Sequence, residues 1–249
     1  MSIRCLFIVI VLSSFAISSC KKAEDRRCYK FAGADAQKEI LLENFHAVDL
    51  GKKLEYVFIN DSTNKIVLIG KENLLNLVDI QQSNDSISIE NLNKCDYFRK
   101  FKNNKIRVEI HYTELKYIYS EASESVTCKD TLKTETLQIE IRDGAGSTNI
   151  LAKVENISID APHGWGDYTI TGQAANAYIG IRSNCFADVT GLKVTNYFFI
   201  AHESQGDLKL NPNNLVLNGY MKADGNVLYS GLFVGENVIK TGKGKIKPL

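Results

Sequence analysis

Proline is scarce in this chain: three of 249 residues, alongside one tryptophan and two methionines. With so few prolines and no long Ser/Gly-rich or low-complexity tract, no internal linker is expected, and a β-rich chain of this length fits one domain. Long hydrophobic runs are lacking too. The apolar stretch from Cys5 to Ile17 is too short to cross a hydrocarbon core of about 30 Å comfortably. Neither charge sign dominates, since 30 Lys and Arg face 29 Asp and Glu. Arg4 is the only charged residue among the first nineteen, so their removal leaves 29 of each. A nucleic-acid binder needs a clear basic excess, and that partner class is excluded. Compact catalytic patterns are also missing. No Asp pair stands beside a His or Arg motif, and His163 and His202 stand alone in the sequence. No enzyme activity, cofactor or metal is expected on these grounds.

The N-terminus is organised for export. A short positive start precedes the apolar run, and small residues follow it in Ile17, Ser18, Ser19 and Cys20. These four resemble a bacterial lipobox. The resemblance implies cleavage before Cys20, lipidation of its sulfur and acylation of its amine, and several acyl chains make such an anchor effectively permanent. Lys21 is not the aspartate that retains many lipoproteins in the inner membrane, so an outer-membrane lipoprotein is expected, on the periplasmic or the cell-surface face. The chain divides into a signal peptide (1–19), a tether (20–37) and one folded domain (38–249).

What is abundant is repetition. Asn156, Asn176, Asn196 and Asn214 recur at spacings of 20, 20 and 18, each one residue ahead of a short apolar strand. A fixed period near twenty with one polar residue in constant phase marks a solenoid, in which each repeat stacks on the last. A second short strand falls midway through each repeat, at Thr148, Tyr168, Asp188, Leu208 and Val227, usually after Gly or Asp. The reading is an all-β, right-handed parallel β-helix of about six coils, roughly 29 Å long at about 4.8 Å per rung. The asparagines then form a structural ladder. Asn tolerates the left-handed backbone of a sharp corner, and stacked amides bond one another.

Cysteines fit an exported protein. Four remain after processing, an even count that permits disulfides. Cys128 and Cys185 lie about three rungs apart, near 14 Å, beyond the roughly 7 Å Cα limit for a bridge. They read as buried thiols. Cys28 with Cys95 is the expected pair, tying the tether to the first sheet.

Particular segments also point to a family. Cys28 to Lys30, Asn44 to Val48, Glu72 to Leu75, Lys94 to Arg99 and the ending Gly225 to Gly231 with Gly242 to Ile246 carry the pattern. Over roughly residues 28 to 247 the chain resembles the auto-transporter adhesin, head GIN domain family of Bacteroidetes lipoproteins. Relatives carry Ser-Gly-Ser-Gly-Asp/Asn corners, and this chain keeps them only in part, at Gly144 to Ser147, Gly164 to Asp167 and Gly225 to Asn226. The resemblance implies a solenoid with a binding or adhesion role, without naming a ligand.

Three features stand out from the repeat. Trp165, in the run from His163 to Asp167, offers an indole at a corner where it would stack on a sugar or cover a neighbouring rung near Phe186. Asp167, Asp188 and Asp207 lie one rung apart in sequence, which at about 4.8 Å per rung is close enough for a row that binds a cation or ligand or shares a proton. Lys94, Arg99, Lys100, Lys102, Lys105 and Arg107, and the tail lysines Lys240, Lys243, Lys245 and Lys247, are locally basic. They suit an anionic envelope partner or a solvated surface. The functional expectation is a non-enzymatic binding or adhesion lipoprotein, its ligand a glycan or envelope polymer. A polysaccharide-active β-helix enzyme is the alternative, and self-association through an uncapped solenoid end is a third reading.

Overall fold

Alternation of apolar and polar residues with period two predicts strands with one wet face, and strands dominate the molecule. The structure, a computed structural model, describes residues 32–93 and 104–249. The signal segment, Cys20, Cys28, Cys95 and the basic residues from Lys94 to Lys102 lie outside the described residues. Strand accounts for 61% of the described residues and helix for 2%, in a β-solenoid of about seven turns set about 20 residues apart.

The first half contains β1 (Asp35–Leu41), β2 (Ala47–Leu50), β3 (Glu55–Asn60), β4 (Lys65–Lys71), one helical turn α1 (Glu72–Leu75), β5 (Val78–Ser83), β6 (Ser86–Asn91), β7 (Arg107–Tyr112), β8 (Tyr117–Ser120) and β9 (Val126–Cys128). The second half contains β10 (Leu132–Ile141), β11 (Thr148–Ala161), β12 (Tyr168–Ser183), β13 (Ala187–Val189), β14 (Leu192–Ser204), β15 (Leu208–Leu210), β16 (Val216–Met221), β17 (Val227–Tyr229), β18 (Gly235–Lys240) and β19 (Ile246–Pro248). β1 begins inside the segment read as tether, because Asp35, Ala36 and Gln37 pair with Lys71, Gly70 and Ile69.

Two parallel stacks form the column. One runs β6, β2, β8, β10, β11, β12, β14, β16, β18, and the other β7, β3, β9, β11, β12, β13, β15, β17, β19. A shorter third face arises where β10, β11, β12 and β14 run on through a corner, pairing Leu132, Ala152, Gly172 and Leu192. The second strands expected at Thr148 and Tyr168 are therefore fused to the first, in β11 and β12, while those at Asp188, Leu208 and Val227 stay separate as β13, β15 and β17. Burial alternates along β11 until Glu155 and Asn156, two successive outward residues that mark the bend.

The coils do not stack in chain order. β2 sits between β6 and β8, so the coil built from β6 and β7 lies outside the one that precedes it. Antiparallel strands close that end: β5 covers β6, β4 covers β7, and β1 covers β4. Tyr56, Phe58 and Tyr112 fill the wide core there, Phe58 meeting Tyr112 edge to face at 6.2 Å. Farther along, Ala152, Ala177, Ile179 and Val189 fill the column.

Inward positions change character in the last coil. β18 pairs Glu236 with Leu217 and Lys240 with Met221, so a bonded Glu236–Lys240 pair continues two inward columns that are apolar in the preceding coil. Terminal repeats with polar outer faces keep solenoids soluble. Pro248 in β19 removes one strand-edge donor.

Candidate functional site

Parallel stacking in strict register places equivalent outward residues directly above one another. On the first stack these are Tyr117, Gln138, Ser158, Tyr178, Phe199, Asn218 and Asn237. Tyr178 and Phe199 stack face to face, ring centroids 5.5 Å apart with planes 9° apart. The other face of Tyr178 turns toward Ser158, whose small side chain leaves a gap one rung away. An open groove of about 430 Å³ occupies that gap, lined by Gln138, Asn156, Ser158, Asn176, Tyr178, Tyr197 and Phe199 with Thr136, Ile157 and Ala177. No charged side chain lines it.

Tyr197 joins the wall through a bulge. Val194 pairs with Ala174, but Tyr197 rather than Asn196 pairs with Asn176. The extra residue leaves Thr195, Asn196 and Tyr197 all exposed before the chain turns inward at Phe198. The Tyr197 ring then lies 6.4 Å from Phe199, inclined by 24°.

The asparagines form the opposite rim. Asn176 Nδ2 donates to Asn156 Oδ1 at 2.8 Å, and Asn196 Nδ2 donates to Asn176 Oδ1 at 2.7 Å. A carboxamide carries two N–H donors, so each linked amide keeps one, and Asn156 Nδ2 has no protein partner among the described residues. Asn214 does not join. Register puts Leu215, not Asn214, one rung beyond Asn196, and Asn214 is left-handed at φ 66°. Asn156, Asn176 and Asn196 show no positive φ, so the left-handed rationale holds for Asn214 alone and the ladder for the other three.

A charged lattice flanks the aromatic stack without entering the groove. Arg182 Nη1 reaches both carboxylate oxygens of Asp160 at 2.9 and 2.7 Å, and Lys222 Nζ lies 3.3 Å from Glu203. Burial alone would raise the Glu203 carboxyl, but bonding from Tyr220 and Lys222 holds it below the usual range. Burial raises the Tyr178 and Tyr220 hydroxyls. Two cations and two carboxylates balance, and Lys222 rests 4.2 Å over the Tyr220 ring.

The aspartate row is not a row. Register places Asp167, Phe186, Asp207 and Asn226 in one column, so an aromatic side chain separates the two carboxylates, while Asp188 stacks between Thr169 and Lys209. Each works locally. Asp167 accepts the Phe186 N–H at 3.1 Å, Asp188 accepts the Thr190 N–H and hydroxyl, and Asp207 accepts the Asn226 N–H at 2.8 Å. No group of three His, Cys, Asp or Glu able to hold a metal occurs among the described residues.

Trp165 is 69% exposed at its corner, away from the groove, and Phe186 on the next rung is 53% exposed. Cys128 and Cys185 are free, and burial pushes both thiols up to about 11. A second hollow of about 390 Å³ lies nearer β2 on the same face, between Tyr117, Tyr119, Asp49, Glu90 and Glu121. Burial first, then Glu121 and Glu90, push the Asp49 carboxyl up. Tyr178, Tyr197 and Phe199 were missed as site residues in the sequence. Their signal was three aromatics in a row at Tyr197, Phe198 and Phe199, which cannot all face inward when alternation is strict.

Comparison with known proteins places this architecture. The crystal structure of a "putative adhesin" from Bacteroides fragilis is similar with TM-score 0.76 at 19% identity, covering 87% of this chain and 97% of that one. A "putative adhesin" from Parabacteroides distasonis gives 0.60 at 16% identity, covering 87% and 98%. A "putative lipid binding protein" from Parabacteroides distasonis gives 0.58 at 12% identity, covering 86% and 97%. At these identities the likeness establishes the fold. No curated protein matches the sequence significantly. Residues 44–232 match the family model described as "Putative auto-transporter adhesin, head GIN domain", and the chain belongs to that family.

Proposed function

We propose that this protein is a non-enzymatic, envelope-anchored binding lipoprotein whose lateral groove takes an extended, uncharged glycan. The open face of Tyr178 over Ser158, bordered by linked amides, is the observation that carries this reading. Sugars present apolar C–H faces and a ring of hydroxyls, and an aromatic platform beside amide donors and acceptors suits both. The absence of charge in the lining favours a neutral polymer, and the groove follows a stack that continues beyond it in both directions, which suits a chain over a single small molecule. The family and the related structures carry the names of adhesins or binding proteins, in keeping with this role. A polysaccharide-active enzyme is less well supported. A pair of working carboxylates needs about 5 to 9.5 Å separation across a bond, and none lines the groove.

Affinity electrophoresis through gels containing neutral or uronate-bearing polysaccharides tests the proposal. A neutral polymer should retard the protein, with Tyr178→Ala migrating freely and Trp165→Ala migrating as the parent does. Retardation in no gel, or equal retardation of the Tyr178 variant, would overturn it. Comparable uptake of a fatty acid would reassign the groove to acyl chains.

A further inference from the structure

The groove leaves the far end of the column unexplained. We propose that the terminal coil, residues 232–249, is a contact surface for anionic phospholipid headgroups, separate from the lateral groove. Lys240, Lys243, Lys245 and Lys247 fall within one coil whose single acidic side chain is Glu236. Glu236 is bonded to Lys240, leaving Lys243, Lys245 and Lys247 without a carboxylate salt-bridge partner among the described residues. Asp224, one coil back, accepts the Lys243 backbone N–H through Oδ1 and neighbours Lys222 in sequence.

Exposed apolar side chains accompany the lysines. Leu232 is 72% exposed, Val234 61% and Leu249 64%. They converge on one corner: the Leu249 N–H donates to the Tyr229 carbonyl at 2.9 Å, and the Tyr229 ring stacks on Phe233 at 4.7 Å. All belong to the last coil, within about one rung spacing of 4.8 Å from the end of the column. Lysines at one corner and along β19, with protruding aliphatic side chains at the next corner of the same coil, are the chemistry of an interfacial surface: the charges meet headgroup phosphates and the apolar residues enter the boundary beneath.

Charge selects this occupant over a second copy. Two terminal coils meeting would bring their lysines together, and Pro248 with the inward Glu236–Lys240 pair blunts strand-edge pairing. The region was open to reading as a solvated tail, but it is paired to β16 and β17 and therefore presents a fixed surface.

Vesicle flotation of the processed chain, residues 20–249, carrying Cys20→Ser, which lacks both the apolar signal run and the sulfur that would be acylated, tests this. Vesicles of phosphatidylcholine alone are compared with vesicles of equal parts phosphatidylcholine and phosphatidylglycerol. The expected result is at least about tenfold stronger partitioning onto the anionic vesicles, lost in high salt. The triple reversal Lys243→Glu, Lys245→Glu, Lys247→Glu should abolish the difference, and the triple Lys→Arg variant should keep it. Equal partitioning onto both vesicles, or a difference that survives the reversal, would overturn the proposal. Oligomerisation without vesicle binding would overturn it in favour of a second copy.

Discussion

Asn176 accepts from one neighbouring amide and donates to the other, so one side chain ties three rungs together. Asn176→Ala removes both bonds from a half-buried position and should cost about 1–2 kcal/mol, at about 0.5–1.5 kcal/mol net per bond, measured by urea denaturation. The period of the asparagines was plain in the sequence. Their phase was less so, because the shorter spacing to Asn214 slips it one residue out of the ladder, and the bulge before Phe198 inserts a residue elsewhere. Spacing shows neither compensation. His202 carries a different consequence. It is fully buried, and neither ring nitrogen has a hydrogen-bond partner. Burial lowers its pKa, with backbone groups at His202, Gly206 and Asn226 and then Asp207 pulling the other way. The unfolded chain therefore binds the proton more readily, at the ordinary value of about 6.5. Stability should be undiminished by this residue above that pH and fall as pH drops below it, until the folded-state value is passed. His202→Leu should flatten that slope in melting temperatures measured between neutral and mildly acidic pH. An unchanged slope would assign the acid sensitivity to other groups.

Strands in the middle of the column are long because they bend instead of ending. β11 runs 14 residues and β12 runs 16, each passing through a corner that sequence patterning splits into two strands. Composition locates the apolar segments but does not tell whether a corner breaks hydrogen bonding or carries it through. Close rung contact also restricts residue choice. Gly219 sits at φ 133°, and a Cβ there would meet the Ile200 carbonyl oxygen at 1.9 Å. Gly219→Ala should destabilise the fold by at least about 2 kcal/mol, through left-handed strain and overlap with backbone that cannot move aside. Gly235→Ala is the matched control, since nothing lies within 4 Å of the added carbon. Comparable losses in the two variants, in thermal or urea unfolding, would show that close stacking is not the constraint. The Gly-Asp corners legible in the sequence spend their carboxylates across rungs, Asp167 on the Phe186 N–H and Asp207 on the Asn226 N–H, whereas Asp188 closes a local turn onto Thr190.

A column of coils touching only their neighbours depends on how its ends are closed. One end is covered by antiparallel strands from β1, β4 and β5, an arrangement hidden in the sequence because the coil it covers is not the first in chain order. The other end relies on side chains. Glu236→Leu with Lys240→Leu restores an apolar inward column and should turn a concentration-independent species into a concentration-dependent oligomer by light scattering. No change in mass would mean that backbone geometry alone protects that end. The solenoid, its repeat and its all-β character were legible from the asparagine period and strand spacing, whereas the groove depended on which aromatics face outward in each rung. That is why Trp165 stood out in the sequence and Tyr178 did not. Calorimetric titration with oligosaccharides of whichever neutral polymer retards the protein separates these two residues most directly. Tyr178→Ala should weaken binding by about tenfold, a loss of roughly 1.4 kcal/mol in keeping with an aromatic stacking contact, and Trp165→Ala should leave it unchanged. Full affinity in the Tyr178 variant with loss in the Trp165 variant would contradict a lateral groove as the binding site.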